Sequence, residues 1–195
     1  RKCLGLMNNL VSFLNQISPL SAQTIALVAS KFVADKLKKG DYFIGEGVYA
    51  KEIAFLERGT VRAFYTNNDG KEYNKTFFVA PAIIGSYVSL ISKEKNTLPQ
   101  QALTDCVIWR MKYDELERLS DNNYELERLR RRIAERFFVS NEKKQLKMAL
   151  LDAADRYLIF KEEDPGLEDL IPQYHVATYL GVSPTQLSRI RQKLS

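Results

Sequence analysis

The carboxyl-terminal stretch constrains this chain more than any other. It runs Gln173-Tyr-His-Val-Ala-Thr-Tyr-Leu-Gly-Val-Ser-Pro-Thr-Gln-Leu-Ser-Arg-Ile-Arg-Gln192. Two short helices that cross at a tight turn need a small residue where they touch, a residue that accepts positive φ at the turn, and apolar side chains pointing inward from both. Ala177 is the small contact, Gly181 stands four residues later, and Val176, Leu180, Val182, Leu187 and Ile190 form the inward set. The second helix has its own start signal: Ser183 at the N-cap, Pro184 at the first helical position, and Gln186 three residues after the cap, the pattern of a capping box. Winding Pro184 to Leu194 at about 100° per residue places Leu187, Ile190 and Leu194 on one side and Thr185, Ser188, Arg189 and Gln192 on the other. The spacing therefore predicts a helix-turn-helix. Its outward face carries groups that can reach base edges in a DNA major groove, where Arg commonly reads guanine and Gln reads adenine. Gln186, Arg191 and Lys193 flank that face as further contacts, while Tyr174 and His175 open the first helix, which in this motif usually crosses the nucleic-acid backbone.

Charge is distributed to match. The formal net charge is +5, and it is unevenly spread. Lys112 to Glu127 holds two basic and six acidic residues, whereas Arg128 to Lys147 holds eight basic and two acidic. From Ile171 to the end there are three basic residues and no acidic one. With 195 residues, 45% of them hydrophobic, the chain can bury a proper core. His175 is the single histidine, which leaves a nucleophilic hydrolase one candidate base and a His-rich metal site none. Cys3 and Cys106 lie far apart with no His or Cys at a metal-ligand spacing, as expected of inert thiols in a reducing compartment. No apolar run approaches the roughly 20 residues that span a bilayer. A cytoplasmic, non-enzymatic protein without metal or membrane contact is expected.

Upstream, the pattern changes twice. Met7 to about Val33 has helical spacing, broken at Ser18-Pro19. From Lys38 to Met111 short apolar and aromatic runs alternate with glycines, which predicts an all-β barrel or roll. Asn68-Asp69-Gly70, between Val61–Tyr65 and Tyr73–Phe78, is a hairpin signal. Beyond the roll, Leu126, Leu129, Ile133 and Phe137 recur at spacings of three or four. They predict a helix starting at Ser120 or Asp121 with one apolar stripe, read either as a dimer seam or as packing on the chain's own roll. A second helix is expected from Lys143 to Phe160, its apolar side formed by Leu146, Ala149, Leu150, Ala153, Ala154, Tyr157 and Leu158, closed by Glu162 to Gly166.

A β-roll, a long charged helix and a terminal helix-turn-helix, in that order, resemble the Crp/Fnr family of bacterial transcription regulators. The resemblance rests on Leu37 to Gly47, Ala54 to Tyr65, Asp69 to Glu72 and Pro81 to Ser86, with Gly47 and Gly59 at tight corners. It implies an α+β fold with a cyclic-nucleotide-binding-like β-roll (a double-stranded β-helix) over residues 7–112, a linker and dimerisation helix over 113–142, and a DNA-binding domain over 143–195. It also implies a homodimer on a near-palindromic double-stranded operator, RNA polymerase as a further partner, and Arg189 as the counterpart of the family's base-contacting arginine. At the place where family members close on cyclic AMP with a Gly-Glu pair and an arginine, this chain has Gly85-Ser86, and no arginine occurs between Arg62 and Arg110. A buried cyclic phosphate without a partner is costly, so cyclic AMP is not expected to bind. Gly85, Ser86, Tyr87, Thr97, Gln100 and Gln101 are the expected lining of a pocket for an uncharged small-molecule effector, or the cover of an unused one. The family's iron-sulfur and haem cofactors are not expected, since two cysteines cannot hold a cluster and His175 belongs to the far domain. Two further departures are the missing β-hairpin wings and Pro184-Thr185 in place of the family's Arg-Glu before the recognition run. Two competing readings are a cupin-type enzyme, disfavoured by a roll without histidine, and a protein- or small-molecule-binding module whose helix-turn-helix is only structural.

Overall fold

The computed structural model describes residues 2–194, with side chains from Asn9 onward. Cys3, read above as an inert thiol, therefore lies outside the described side chains. Helices α1 (Lys2–Ile17) and α2 (Ala22–Ala29) lead into a roll of two antiparallel sheets. One sheet has the order β1 (Val33–Leu37), β8 (Cys106–Lys112), β3 (Glu52–Arg58), β6 (Ala82–Ile84). The other runs β2 (Tyr42–Ile44), β7 (Gln100–Ala102), β4 (Thr60–Thr66), β5 (Glu72–Val79). Both sheets send apolar side chains inward, and Leu37, Ala54, Leu56, Val61, Ile84, Ala102 and Ile108 fill the space between them. The β4–β5 hairpin forms where Asn68-Asp69-Gly70 marked it, with the Asn67 side chain accepting from the amides of Asp69 and Lys71. The first strand starts at Val33, where the helical spacing ends and ahead of the expected start of the roll at Lys38. Its pairing with Trp109 and Arg110 of β8 decides this, a partner too far along the chain for local periodicity to reveal.

The helical part departs from expectation in three ways. A separate helix α4 (Tyr113–Ser120) precedes the long one, α5 (Tyr124–Leu150), whose N-cap is Asn123. Asn123 Oδ1 accepts from the amides of Glu125 and Leu126, whereas Ser120 spends its hydroxyl on the carbonyl of Leu116 and Asp121 ends α4. Next, α5 continues through Lys143 without interruption, and the break falls at Leu151-Asp152, where Asp152 caps α6 (Ala153–Glu163). This moves the apolar side of the segment. Leu146 and Leu150 stand 57% and 76% exposed, Leu158 is also exposed, and the core instead gathers Tyr157, Phe160, Leu167, Ile171, Val176, Ala177, Leu180 and Leu187. No wing follows: Gly166 turns the chain into the single-turn helix α7 (Leu167–Leu170), which inserts Leu167 into that core. Helices α8 (Gln173–Leu180) and α9 (Pro184–Leu194) complete the chain.

Leu126 and Leu129 are buried against Leu10, Leu14 and Ile17 of α1 and Phe55 of β3, with Ile133 packed beside them. These positions of the expected dimer seam are thus occupied by the chain's own core, and only Phe137 among them is exposed. Packing is reinforced by three arginines spaced one turn apart. Arg128 donates to Ser18 Oγ and the Pro19 carbonyl, Arg132 to Ile17 O, and Arg136 to Gln16 O. They sit on the carbonyl end of α1, where the helix dipole favours cations.

Gly59 joins β3 to β4 at φ +102°, and a Cβ there would stand 2.6 Å from Cys106 Sγ and 2.7 Å from the Asp105 carbonyl. Gly70 has φ +77° but open space around it. Gly70→Ala should cost about 1–2 kcal/mol of backbone strain alone, and Gly59→Ala at least twice that, read from urea unfolding midpoints.

Candidate nucleic-acid interface

The helix-turn-helix is built as its residues require. Gly181 adopts φ 72°, ψ 29° between α8 and α9. Ala177 and Leu187 are buried where the helices cross. Ser183 and Gln186 form a reciprocal cap, each backbone amide donating to the other side chain. Thr185, Gln186, Ser188, Arg189, Gln192 and Lys193 are exposed along α9, and Tyr174 is exposed at the start of α8. Leu194, expected to face inward, is 45% exposed, because the core ends before the last turn. Arg191 is half-buried beside the Tyr157 hydroxyl, less open than its neighbours Arg189 and Gln192. That hydroxyl donates to Glu168, and burial pushes its pKa up to about 12.

His175 is not at the surface. It is 3% exposed, facing the outer side of the sheet that contains β4 and β5. Its Nδ1 lies 3.3 Å from Arg62 Nη1 and 3.1 Å from Asn74 Nδ2. Both neighbours are donors, so Nδ1 is the acceptor and the ring proton sits on Nε2. Asn74 Nδ2 also lies within hydrogen-bonding distance of the His175 carbonyl and Thr178 Oγ1, three acceptors sharing its two hydrogens. Arg62, itself 3% exposed, is held by Glu72 at 2.6 Å and by two bonds to Gln101 Oε1, with its guanidinium 3.7 Å from the Phe64 ring centre. Beside this polar clasp, Phe77 meets the rings of Phe160 and Tyr179, and Leu103 joins the core of the helical part. His175 as a phosphate contact, and as a residue remote from the roll, is therefore corrected. Strand register explains why. An irregularity in the β4–β5 pairing, where Ala63 faces Thr76 but Phe64 faces Asn74, brings Asn74 and Phe77 to one face although they are three residues apart. The signal available earlier was Arg62 itself, a lone cation amid the apolar residues of a strand.

Residues expected to line an effector pocket do not converge. Gln100 and Gln101 are adjacent in β7 and point to opposite faces, Gln100 into the roll and Gln101 out to Arg62. Ser86 is buried at the foot of α3 (Tyr87–Ser92), Tyr87 lies edge-on to Tyr113, Gly85 backs onto Ile53, and Thr97 is exposed. Asn96 is buried with its side chain donating to the Gly45 carbonyl and accepting from the Leu98 amide. A neutral amide thus closes the loop after α3, while Lys93 and Lys95 are exposed. This arrangement does not fit a cyclic phosphate.

Residues 34–123 match the family described as the cyclic nucleotide-binding domain. Over those residues the roll is similar to a cyclic nucleotide-binding domain. Solved structures of similar fold include transcriptional regulators and, over less of this chain, regulatory subunits of a cAMP-independent protein kinase A. FixK2 from Bradyrhizobium japonicum aligns with TM-score 0.72 and 19% identity over 84% of each chain. A protein assigned to the Crp/Fnr transcriptional regulators from Eubacterium rectale aligns with TM-score 0.70 and 12% identity over 89% of this chain and 83% of its own. The c-di-GMP responsive global regulator CLP of Xanthomonas campestris aligns with TM-score 0.66 and 17% identity over 89% of this chain and 91% of its own. At these identities the likeness is one of fold. No curated protein sequence matches the chain at a significant level.

Burial, and then the Arg62 charge, hold the His175 pKa down to about 4 from an ordinary 6.5, with Glu72 opposing. The unfolded ring therefore takes up a proton first as pH falls. Stability due to neutral His175 is complete above about 6.5 and is lost as pH drops toward 4, at about 1 kcal/mol per pH unit. Unfolding midpoints at pH 7 and pH 5 should differ more in the wild type than in His175→Gln.

Proposed function

We propose that this protein is a homodimeric, sequence-specific DNA-binding transcription regulator, without enzymatic activity and working in the cytoplasm. The observation that carries the reading is the polarity of α9. Leu187 and Ile190 fasten it to the core of the helical part, while Thr185, Ser188 and Arg189 stand exposed on the opposite edge. That edge offers hydrogen bonding and a fork-shaped cation to a major groove. Three parts then divide the work: the roll with its leading helices (7–112), the linker and dimer helix (113–142) and the DNA-reading part (143–195). The continuous α5 carries the second directly into the third. Fold neighbours that are regulators support this division, and among the described residues no helix is long and apolar enough to cross a membrane.

With Leu126 and Leu129 already covered, the dimer seam must use another face of α5. Ala134, Phe138, Asn141 and Gln145 recur at alternating spacings of four and three, the interval that keeps a coiled-coil seam facing its partner. Phe138 is 66% exposed at its centre. Two chains joined here would present two α9 edges to half-sites about 34 Å apart. Phe138→Asp should convert the dimer to monomer in sedimentation velocity, whereas Leu126→Ala should lower stability and leave the subunit association intact.

Random-site selection at controlled salt tests the DNA reading, since phosphate contacts alone bind tightly at low salt. An inverted repeat should be enriched. Arg189→Ala should weaken binding to it by about 1–3 kcal/mol and relax the preference at one base pair of each half-site. No enrichment at any salt would leave the alternative, a binding module whose helix-turn-helix is structural.

A further inference from the structure

We propose that the cleft between the roll, α5 and the DNA-reading helices binds a small, multiply charged phosphorylated anion of nucleotide size. Its use as an effector site rests on the regulator reading above, but the binding itself does not. The cleft has a volume of about 680 Å³, within the range of small-molecule sites. Lys75 of β5 faces Arg132, Arg136, Lys143, Lys144 and Lys147 of α5 across it, and Tyr179 of α8 forms part of the wall. Three parts of the fold thus meet around one concentration of positive charge.

Little in the protein balances that charge. Two carboxylates, Glu135 and Glu163, also line the cleft, and each already has a cation: Arg131 for Glu135, Lys147 for Glu163. Arg132 and Arg136 are bound to neutral carbonyls of Ile17 and Gln16. Lys144 donates to the Lys75 carbonyl and lies 3.7 Å from the Tyr179 ring centre. Among the described residues, Lys147 is the only one of these six cations in an ion pair. The confinement is felt by Lys144, whose pKa falls to about 8 through burial and then the charges of Lys75 and Lys147, against the pull of Asp164. An anion with two or more charges would relieve this repulsion, and lysines supply mobile point donors for phosphate oxygens. Arg132, Arg136, Lys143 and Lys147 fall on the side of α5 away from Ala134, Phe138 and Gln145 at about 100° per residue. Asn141 of that seam also lines the cleft, so a second subunit there would border its rim while the four cations face away from it.

The contrast with the roll is chemical. The segment after α3 that lacks an arginine has Asn96 closing it, whereas the cations stand between the domains, where one ligand would touch the roll through Lys75 and the helical part through Lys144. Occupancy would therefore favour one arrangement of those parts over others.

Isothermal titration of the full chain without DNA, at fixed near-physiological salt, is the test, with pyrophosphate, magnesium-free ATP and cyclic AMP as probes. Pyrophosphate and ATP should bind in the micromolar range and cyclic AMP at least about tenfold more weakly. The exposed pair Lys75→Ala and Lys143→Ala should weaken ATP binding about tenfold or more with an unchanged unfolding midpoint. Binding near pH 8 should take up protons, and Lys144→Met should abolish the uptake. Absence of heat from both polyanions at millimolar concentration would overturn the proposal, as would wild-type affinity in the double variant or cyclic AMP binding as tight as ATP. If the double variant loses affinity for a duplex while its ATP affinity is unchanged, the cleft is a DNA contact and the proposal also falls. Because no DNA is present in the titration, failure of operator selection leaves this result standing, and the reverse holds too.

Discussion

A buried guanidinium organises this molecule. Arg62 lies on the outer face of β4 with almost no exposure, and a charge so placed is tolerated only when it is paired and hydrogen-bonded. Glu72 supplies the opposite charge, Gln101 accepts two of its donors, and His175 presents a ring nitrogen to a third direction. Since His175 belongs to α8, satisfying a charge in the roll also orients the helix-turn-helix. Phe77 and Leu103 add apolar contact around the same spot, so the core of the helical part continues into the roll. Polar directionality sets the docking angle, and the aromatic contacts supply area.

A second organising element is the row Arg128, Arg132, Arg136. Helix α1 ends against α5, and its last carbonyls would be unsatisfied without donors. Arg132 and Arg136 meet two of them, and Arg128 one turn earlier holds the Ser18 hydroxyl and Pro19 carbonyl just past the helix end. The same stripe of cations continues into Lys143, Lys144 and Lys147, where no helix end remains to be capped. What serves packing near the start of α5 thus becomes a cluster of cations with a single ion pair, Lys147 to Glu163, farther along, at the place where the roll and the C-terminal helices face each other.

The roll is similar to a cyclic nucleotide-binding domain over residues 34–123, yet no arginine stands between Arg62 and Arg110. Asn96 ties the loop after α3 to Gly45 and Leu98, and apolar side chains occupy the space between the sheets. In a proposed regulator of this fold, control would then pass through the contact between domains more than through the centre of the roll.

Local patterns along the chain determined a good deal. The turn at Gly181, the Ser183–Gln186 cap, the β4–β5 hairpin and the glycine corners depend on backbone conformations and side-chain bonds spanning a few residues, so neighbours in sequence are enough to specify them. The β-roll as a class was legible for the same reason, as short apolar and aromatic runs between turn glycines. Tertiary structure alone decided which surfaces were already in use. Leu126 and Leu129 read as a dimer seam before they read as the chain's own core, and only the position of α1 assigned them. Asn74 and Phe77 share a face because of a register irregularity, and Gln100 and Gln101 part ways because adjacent strand residues point to opposite sides. His175, the single histidine, carried no local signal of burial, since its partners lie about a hundred residues earlier in β4 and β5. Contacts between distant segments depend on how whole elements stack, and periodicity within one element carries no information about what lies across from it.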